Sequence, residues 1–397
     1  MREINVTLEF LTPAFIGAVE NQRVSEFRLP SLKGLLRYWW RAYQDFSDET
    51  ELYKDESNIF GDTACKAKFS ISLRQPLQSL TRNSQKQAFN MNQPGIRYLF
   101  YSMYQMGRSP GRINWLEPGT TIDLLFRFFD ESSIKEIITA LWWLENFGGI
   151  GARSRRGAGS FRITKVDNLE GIERIPQFMC QGWSPKTENL KEEILNFLKD
   201  SIDSSYHPRS SQIPSYTAFR KGISNYKVLT GYTSWEEAAH DIGTKLASFR
   251  RSDLMKTSAP FQNEAKALHS FATTGSYQSG GPDPLTKTAF GLPLVYHFRN
   301  RDRHNINSRT GKPKVLIDES VEALGADKKR RGSPLFIKIG KLSNVSKYYV
   351  VALSLWSEFL PDNEEVKIKI SEGSYNGKTH DLNQPGKTAI DDFLNSL

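Results

Sequence analysis

The sequence predicts an α+β protein whose first half is a ferredoxin-like, RRM-type module with a long loop insertion. Three observations lead to this fold class. Short segments alternate apolar and polar residues as half-buried strands do, two longer segments of the first half have helical apolar spacing, and their order is β-α-β-β-α-β. We therefore expect an N-terminal domain over residues 1–170 and a C-terminal domain of related α+β type over residues 171–397.

The N-terminal module contains four predicted strands and two predicted helices. The strands are predicted by alternation over residues 3–10, 67–75, 120–129 and 159–166. The first helix covers residues 31–46, with Ser31 as its N-cap. Its core face carries Leu32, Leu35, Leu36, Trp39 and Tyr43. The second helix, residues 132–147, ends at Gly148, and residues 75–118 form an insertion between the two central strands.

The C-terminal half mixes helices and strands without specifying a topology. Helices are predicted over residues 187–202 and 234–251. Strands are predicted over residues 291–298, 332–340, 347–359 and 365–371. Long polar loops are predicted at residues 273–287 and 299–334, and the second of these carries a basic cluster at residues 299–314.

The composition restricts the class of protein. A net charge of +9 over 397 residues favours a polyanionic partner such as nucleic acid, although a basic enzyme without such a partner has the same balance. The two cysteines, Cys65 and Cys180, lie far apart, which argues against a disulfide framework and a cysteine-type zinc site. The charged, alternating N-terminus and the lack of an apolar run of ~18–20 residues predict a cytoplasmic protein without a membrane partner.

Residues 148–159, "GGIGARSRRGAG", form a segment that we call the glycine-arginine loop. A dinucleotide fingerprint needs a strand before its glycines and a helix after them, whereas here a helix precedes and a strand follows. The sequence also contains no P-loop motif. We therefore predict a flexible loop whose exposed amides, with Arg153, Arg155 and Arg156, bind a phosphate backbone. A solvated basic turn is the alternative.

The first predicted helix has a second basic feature. Lys33, Arg37 and Arg41 follow each other at intervals of four residues and share a face, with Trp40 beside them. Gly34 is a poor helix former, and its presence is explained if another backbone or a ligand must approach the helix closely. The helix start is therefore a candidate phosphate site. A solvated helix face with a tryptophan in the core is the alternative.

Catalytic signatures are weak. The six histidines are scattered without metal-ligand spacing, and no nucleophile motif is present. Metal-independent RNA cleavage could use His207 or His304 as a base, although a polar loop residue is the simpler interpretation of each. We predict no catalytic residue, no metal and no cofactor.

Several motifs together carry a family resemblance. "LTPAFIG", "RLPSLKGLLRYWWRA", "NIFGD" and "GGIGARSRRGAGSFRI" in the first half, with "AFGLPLVYHF" and "RRGSPLFIKI" in the second, resemble the RAMP superfamily of CRISPR-associated proteins. Within it, the match is to the Cmr-one family, the first subunit of the type III-B Cmr effector complex. Two positions depart from the family pattern: Ala18 stands where a second glycine is common, and Lys33 where arginine is frequent.

The resemblance implies two ferredoxin-like, RRM-type RAMP modules with long loop insertions. It also implies a non-catalytic, RNA-binding subunit that caps a guide-RNA filament near the 3′ end of the guide. It implies guide RNA, complementary target RNA, another capping RAMP subunit and a repeating backbone subunit as partners, and it implies that the backbone subunit cuts the target. The predicted RNA-binding residues are Ser31, Lys33, Gly34, Arg37, Trp40, Arg41, Gly151, Arg153, Ser154, Arg155 and Arg156. Among them, Trp40 is the candidate for stacking on bases.

Two other functions remain open from the sequence. The first is a metal-independent endoribonuclease of the same superfamily that processes guide RNA, which would need a histidine or an equivalent base at the RNA groove. The second is a scaffold whose basic loops contact acidic protein surfaces.

Overall fold

The structure is a computed structural model. It describes residues 1–17, 25–44, 46, 48–74, 92–101, 103, 115–186, 188–206, 215–251, 261–306, 313–325, 330–342, 347–360 and 364–397. Within residues 299–306 and 313–318 the description covers the backbone.

Eight α-helices and eleven strands are present in the described residues. In chain order they are β1 (Arg2–Phe10), α1 (Leu29–Tyr43), α2 (Glu49–Phe60), β2 (Phe69–Leu73), α3 (Pro94–Leu99), β3 (Thr121–Phe128), α4 (Ile134–Phe147), β4 (Phe161–Val166), α5 (Leu190–Ser205), β5 (Asn225–Tyr232), α6 (Trp235–Phe249), α7 (Gln262–Thr274), β6 (Leu294–Ile306), β7 (Pro313–Gly325), β8 (Leu335–Lys341), β9 (Tyr348–Ser354), β10 (Val366–Glu372), β11 (Thr379–Leu382) and α8 (Thr388–Asn395). Helices and antiparallel sheets together confirm the predicted α+β class.

The N-terminal sheet has the strand order β2-β3-β1-β4, and all its pairs are antiparallel. With α1 and α4, its strands follow the β-α-β-β-α-β order that the sequence predicts. Phe10 at the end of β1 pairs with Phe161 at the start of β4, so the glycine-arginine loop lies at the end of the sheet where β1 finishes. Phe128 pairs with Arg2 at the opposite end.

The two helices of this module pack against each other through aromatic side chains. The rings of Trp39 and Trp143 stack with centroids 6.4 Å apart, and those of Tyr43 and Trp143 with centroids 6.1 Å apart. Helix α4 is buried along its whole length from Ile137 onward. The sequence of α4 is apolar on most of its faces, and a helix of this kind lies in the interior of a protein.

Two further sheets lie in the second half of the chain. A three-stranded antiparallel sheet has the order β5-β9-β8, and with α6 its elements run β-α-β-β along the sequence. A four-stranded antiparallel sheet has the order β11-β10-β7-β6. That the C-terminal half is a second ferredoxin-like module stays a prediction.

The chain divides into two compact units. The first contains Met1–Lys245, Leu335–Ser357 and Leu397, and the second contains Leu246–Pro334 and Glu358–Ser396. The second unit thus consists of two stretches of sequence, which Leu335–Ser357 of the first unit separates. The contiguous domains 1–170 and 171–397 stay a prediction.

Two sequence predictions about elements are wrong. Residues 299–334 were expected to be a polar loop, but β6 continues to Ile306 and β7 occupies Pro313–Gly325. Strand pairing satisfies the backbone here, even though the sequence lacks apolar alternation. Ser31 is not the N-cap of α1, since the helix begins at Leu29 with Arg28 in the cap position. Proline fits the first turn because it lacks the N–H that would be unsatisfied there.

Candidate nucleic-acid interface

The glycine-arginine loop is tied to the segment that follows β1. The amide of Ala152 donates to the carbonyl of Phe15 at 2.9 Å, and that of Gly159 donates to Pro13 at 2.9 Å. Across the loop, the amide of Ile150 donates to Gly159 at 2.9 Å. The prediction of a flexible loop with exposed amides is therefore wrong at these positions, because the amides form hydrogen bonds within the chain.

The glycines of the loop are explained by close packing of the protein backbone. Gly159 adopts a positive φ of 61°, and a Cβ there would collide with the carbonyl oxygen of Ile150. Gly151 has φ 105°, and a Cβ would lie 2.8 Å from the Phe15 carbonyl oxygen. Only glycine adopts these conformations at little cost. The folding of the loop itself thus accounts for glycine at both positions, and the RNA contact of Gly151 stays a prediction.

Two buried hydroxyl groups link the loop to its surroundings. Thr12 Oγ1 donates to the carbonyl of Gly157 at 2.8 Å and accepts from the amide of Ser160 at 2.9 Å. Ser160 Oγ accepts from the amide of Ile339 in β8 at 3.1 Å. The amide of Ile337 also donates to the Arg155 carbonyl at 3.1 Å. Strand β8, which lies far away in sequence, therefore fixes the loop, and local sequence patterns gave no sign of this pairing.

The loop arginines are partly exposed and lie beside aromatic rings. The Arg155 guanidinium is 4.9 Å from the ring centroid of Phe336 and 5.8 Å from that of Tyr38. The Arg153 guanidinium is 5.8 Å from the ring centroid of Tyr101. Ser154 and Arg156 are also partly exposed. These rings orient the guanidinium groups by cation–π contact and leave them on the surface.

The cations of α1 have partners that the sequence analysis missed. Arg37 donates to Glu56 Oε1 at 3.1 Å and Arg41 to Glu56 Oε2 at 2.6 Å, and the side chain of Glu56 is buried. Arg37 also donates to the carbonyls of Phe60 and Gly61 at the end of α2. These two arginines therefore hold α2 against α1. Their binding of phosphate stays a prediction, and phosphate would have to compete with Glu56 for the same donors.

The start of α1 is the open part of this helix. Ser31 and Gly34 are both exposed, and a Cβ built on Gly34 would meet no atom within 4 Å. The first turn has no acidic residue and no side-chain cap. Lys33 lies 5.5 Å from the ring centroid of Phe69, and partial burial together with nearby Arg37 lowers the pKa of its ammonium group. No contact within the described residues therefore requires a glycine at position 34.

The prediction that Trp40 stacks on RNA bases is wrong. Its side chain is 2% exposed, and its indole N–H donates to Glu136 Oε2 at 2.8 Å. The ring packs edge-on against Phe60, with centroids 6.1 Å apart. Because the ring lies inside the core and its only donor is used, Trp40 stabilises the fold and cannot contact a ligand.

The glycine-arginine loop and α1 lie next to each other. Tyr38 of α1 lies under the Arg155 guanidinium, and both contact Phe336 of β8. On the neighbouring position of α1, the Trp39 indole nitrogen fills the space where a Cβ on Gly148 would lie. The loop thus contacts α1 through Tyr38, Trp39 and Phe336, none of which is a predicted RNA-binding residue.

Two buried charged residues lie below this surface. Glu145 of α4 accepts from the amide of Ile163 at 2.6 Å, and Lys338 of β8 donates to the carbonyl of Phe161 at 2.7 Å. Burial raises the pKa of Glu145 and lowers that of Lys338, while the attraction between the two charges opposes both shifts. They join α4, β4 and β8 at the base of the loop.

Other chemistry is sparse in the part of the chain that the structure describes. No group of three or more His, Cys, Asp or Glu side chains is placed to hold a metal ion there. His207 lies outside the described residues, and so does the side chain of His304. Among the described helices, none is both long enough and apolar enough to cross a bilayer.

Comparison with known proteins agrees with this geometry. Residues 7–162, which include α1 and the glycine-arginine loop, match the RAMP superfamily. Two relatives are the Cmr subunits Cmr1-1 and Cmr1-2 of Pyrococcus furiosus. The first is 27% identical over 58% of this chain and 68% of the relative, and the second is 29% identical over 43% of this chain and 99% of the relative.

Solved structures show the same fold. The crystal structure of apo Cmr1 from Pyrococcus furiosus aligns with a TM-score of 0.57 and 20% identity, covering 100% of this chain and 97% of that one. A chain of a type III-B Cmr-beta complex bound to cognate target RNA aligns with a TM-score of 0.52 and 11% identity, covering 90% of this chain and 95% of that one. Residues 7–162 therefore resemble the RAMP superfamily in sequence, and the chain as a whole shares its fold with Cmr1 of Pyrococcus furiosus.

Proposed function

We propose that this chain is an RNA-binding subunit of a type III-B Cmr interference complex and contributes to the targeting of invader RNA. It binds the backbone of guide and target RNA at the 3′ end of the guide, and base pairing supplies the sequence specificity. The observation that carries the proposal is the contact between the glycine-arginine loop and α1 through Arg155 and Tyr38.

The charge and shape of this surface support RNA backbone as the ligand. Arg153, Arg155 and Arg156 are partly exposed, and residues 148–159 contain no acidic residue. At the start of α1, the exposed Gly34 leaves room for a phosphate to approach a helix turn that lacks acidic side chains. A single strand can therefore be held by its phosphates along the loop and the helix start.

The partners proposed with this function are guide RNA, complementary target RNA, and the capping and backbone RAMP subunits of the complex. The protein itself acts without catalysis, and target cleavage belongs to the backbone subunit. A cytoplasmic location is part of the same proposal, because RNA targeting takes place there.

The test is the salt dependence of RNA binding by the full chain. We expect Arg153→Ala/Arg155→Ala/Arg156→Ala to weaken binding of a fluorescent single-stranded RNA irrespective of its sequence. The slope of log K against log salt should fall by up to about 2, since each phosphate contact in a single strand contributes about 0.7. Affinity measured from 50 to 300 mM salt by anisotropy gives both quantities.

The matched control removes three cations near the opposite end of the N-terminal sheet, in Arg2→Ala/Arg127→Ala/Lys135→Ala. This variant changes the net charge equally, and we expect a smaller loss of affinity and an unchanged slope. Equal effects of the two triple variants would show that net charge, rather than the glycine-arginine loop, determines binding, and would contradict the proposal. Failure of the unmodified chain to retain RNA at physiological salt would favour a scaffold, and metal-independent cleavage of repeat RNA that His207→Ala or His304→Ala abolishes would favour the endoribonuclease.

A further inference from the structure

Tyr101 is an exposed aromatic residue beside the glycine-arginine loop. It follows α3, in the segment between β2 and β3, and its side chain is 53% exposed. Its ring centroid lies 5.8 Å from the Arg153 guanidinium. A single exposed tyrosine needs no explanation on its own. The contact with a cation of the proposed RNA surface distinguishes this one from the other exposed aromatic residues.

The backbone of Tyr101 is held in place by its neighbours. Phe100 is fully buried, and its ring packs against Phe15 at 5.7 Å and Trp235 at 6.4 Å between centroids. At the other end of α3, the amide of Gly95 donates to His240 Nδ1 at 3.3 Å. A Cβ on Gly95 would collide with the His240 carbonyl oxygen, so α3 contacts the backbone of α6 directly. The ring of Tyr101 is therefore presented from a fixed support.

The conformation of Arg153 is a second, independent observation. Its φ is 61°, in the left-handed region that favours glycine, in a loop where glycine already occupies three other positions of positive φ. An arginine at such a position carries a conformational cost that glycine would avoid. Because arginine stands here in spite of this cost, we infer that its side chain is needed at the site. That side chain lies over the Tyr101 ring.

We propose that Tyr101 and Arg153 form a stacking platform for one nucleobase of single-stranded RNA. The base stacks on the Tyr101 ring while Arg153 binds the adjoining phosphate. Stacking of this kind accepts any base, because every base has a π face, and so it fits a surface that binds backbone without reading sequence. This inference rests on the proposed function and gives Tyr101 the role that the sequence analysis assigned to Trp40.

The test compares two probes of equal length and charge: an oligouridine and an abasic ribose-phosphate oligomer. We expect Tyr101→Ala to weaken binding of oligouridine to the full chain by about 5- to 150-fold, the range for loss of one base–aromatic stack. Binding of the abasic probe and the salt slope should not change. Tyr101→Phe and Tyr101→Trp should keep the affinity for oligouridine. Phe129→Ala, which removes an aromatic residue of 59% exposure near the opposite end of the sheet, should have no effect.

The outcomes separate this inference from the proposed function. If Tyr101→Ala binds oligouridine normally while the triple arginine variant does not, the stacking platform is wrong and the RNA surface stands. An equal loss for both probes would show that Tyr101 only positions Arg153, which also overturns the platform. If the triple arginine variant and Tyr101→Ala both bind as the unmodified chain does, the proposed function fails as well. Thermal unfolding of each variant shows whether it is folded.

Discussion

At the residue scale, a substitution of Gly34 should affect the stability of the fold and the binding of a ligand in opposite directions. Gly34 lies in the first turns of α1, is exposed, and has no atom within 4 Å of its Cβ position. We expect Gly34→Ala to stabilise the protein by about 0.5–1 kcal/mol, because alanine is the better helix former. The same added methyl group should weaken RNA binding if a phosphate approaches the helix there. Urea unfolding and anisotropy measure the two effects.

Thr244→Ala is the matched control for this variant, since it also introduces alanine at an exposed helix position, in α6. It should leave RNA affinity unchanged. If Gly34→Ala stabilises the fold and binds RNA as tightly as the unmodified chain, the start of α1 is not part of the RNA surface.

Single residues also show where sequence reasoning succeeded and failed. The spacing of α1 correctly predicts Leu32, Leu36, Trp39 and Tyr43 as buried. The same spacing leaves Trp40 at the edge of the apolar face, and its burial depends on Glu136 and Phe60, which are distant in sequence. Periodicity reports the face that a residue occupies, whereas the partner that covers it is a property of the tertiary structure.

At the scale of elements, the pairing of α1 with α2 determines the charge of the helix surface. Arg37 and Arg41 both bind the buried carboxylate of Glu56. We expect Glu56→Gln to lower the free energy of unfolding by about 1–3 kcal/mol, because two charge-assisted hydrogen bonds lose their anion. The same variant should bind RNA more tightly at low salt, since one negative charge is removed beside two arginines.

Glu51→Gln provides the control, because Glu51 is an exposed residue of the same helix. It should change neither the stability nor the affinity by as much. If Glu56→Gln is folded and binds RNA more weakly, then Glu56 orients Arg37 and Arg41 for the ligand. The negative charge of Glu56 would in that case not oppose RNA binding.

Elements differ in how well local patterns predict them. Helices α5 and α6 and strands β8, β9 and β10 lie where the sequence predicts them, because each has a clear periodic apolar pattern. Helix α2 was missed since it has few apolar residues, and it begins at an Asp48 cap whose side chain accepts from the Thr50 amide at 2.8 Å. The part of β6 beyond Phe298 and all of β7 were missed, because the pairing between the two strands is not visible in a local sequence pattern.

At the scale of the whole molecule, strand β8 (Leu335–Lys341) forms hydrogen bonds with the glycine-arginine loop, which lies far from it in sequence. Lys338 of this strand and Glu145 of α4 are both fully buried in the first compact unit. We expect Lys338→Met to lower the free energy of unfolding by about 3–5 kcal/mol at neutral pH, because Glu145 then stays buried without its cation. The double variant Glu145→Gln/Lys338→Met should recover most of this loss. Urea unfolding of the three proteins measures it.

The pH dependence of the single variant gives a second measurement. Burial raises the pKa of Glu145 above its ordinary value of 4.5, so between the unfolded and the folded pKa the folded state holds a proton that the unfolded chain releases. The contribution of Glu145 to stability therefore falls as pH rises through this interval. Loss of the Lys338 cation raises the pKa of Glu145 further, so Lys338→Met should lose stability more steeply than the double variant as pH rises above 4.5. Parallel pH profiles would contradict a buried, interacting pair.

The division of the chain could not be predicted from the order of its segments. Sequence motifs indicate the resemblance to the RAMP superfamily, and they also indicate the N-terminal module, because that module is formed by a continuous stretch of sequence. The first compact unit, however, takes β8 and β9 from a distant part of the chain. Pairings of this kind depend on long-range contacts that no window of sequence contains.

The most direct test of the central claim is crosslinking of photoactivatable RNA to the full chain, followed by mass spectrometry of the crosslinked peptides. We predict crosslinks in two separate segments, the start of α1 and the glycine-arginine loop, and a further crosslink at Tyr101 when the RNA carries bases. Crosslinks confined to other parts of the chain, with neither segment labelled, would contradict the claim that these two elements form one RNA surface.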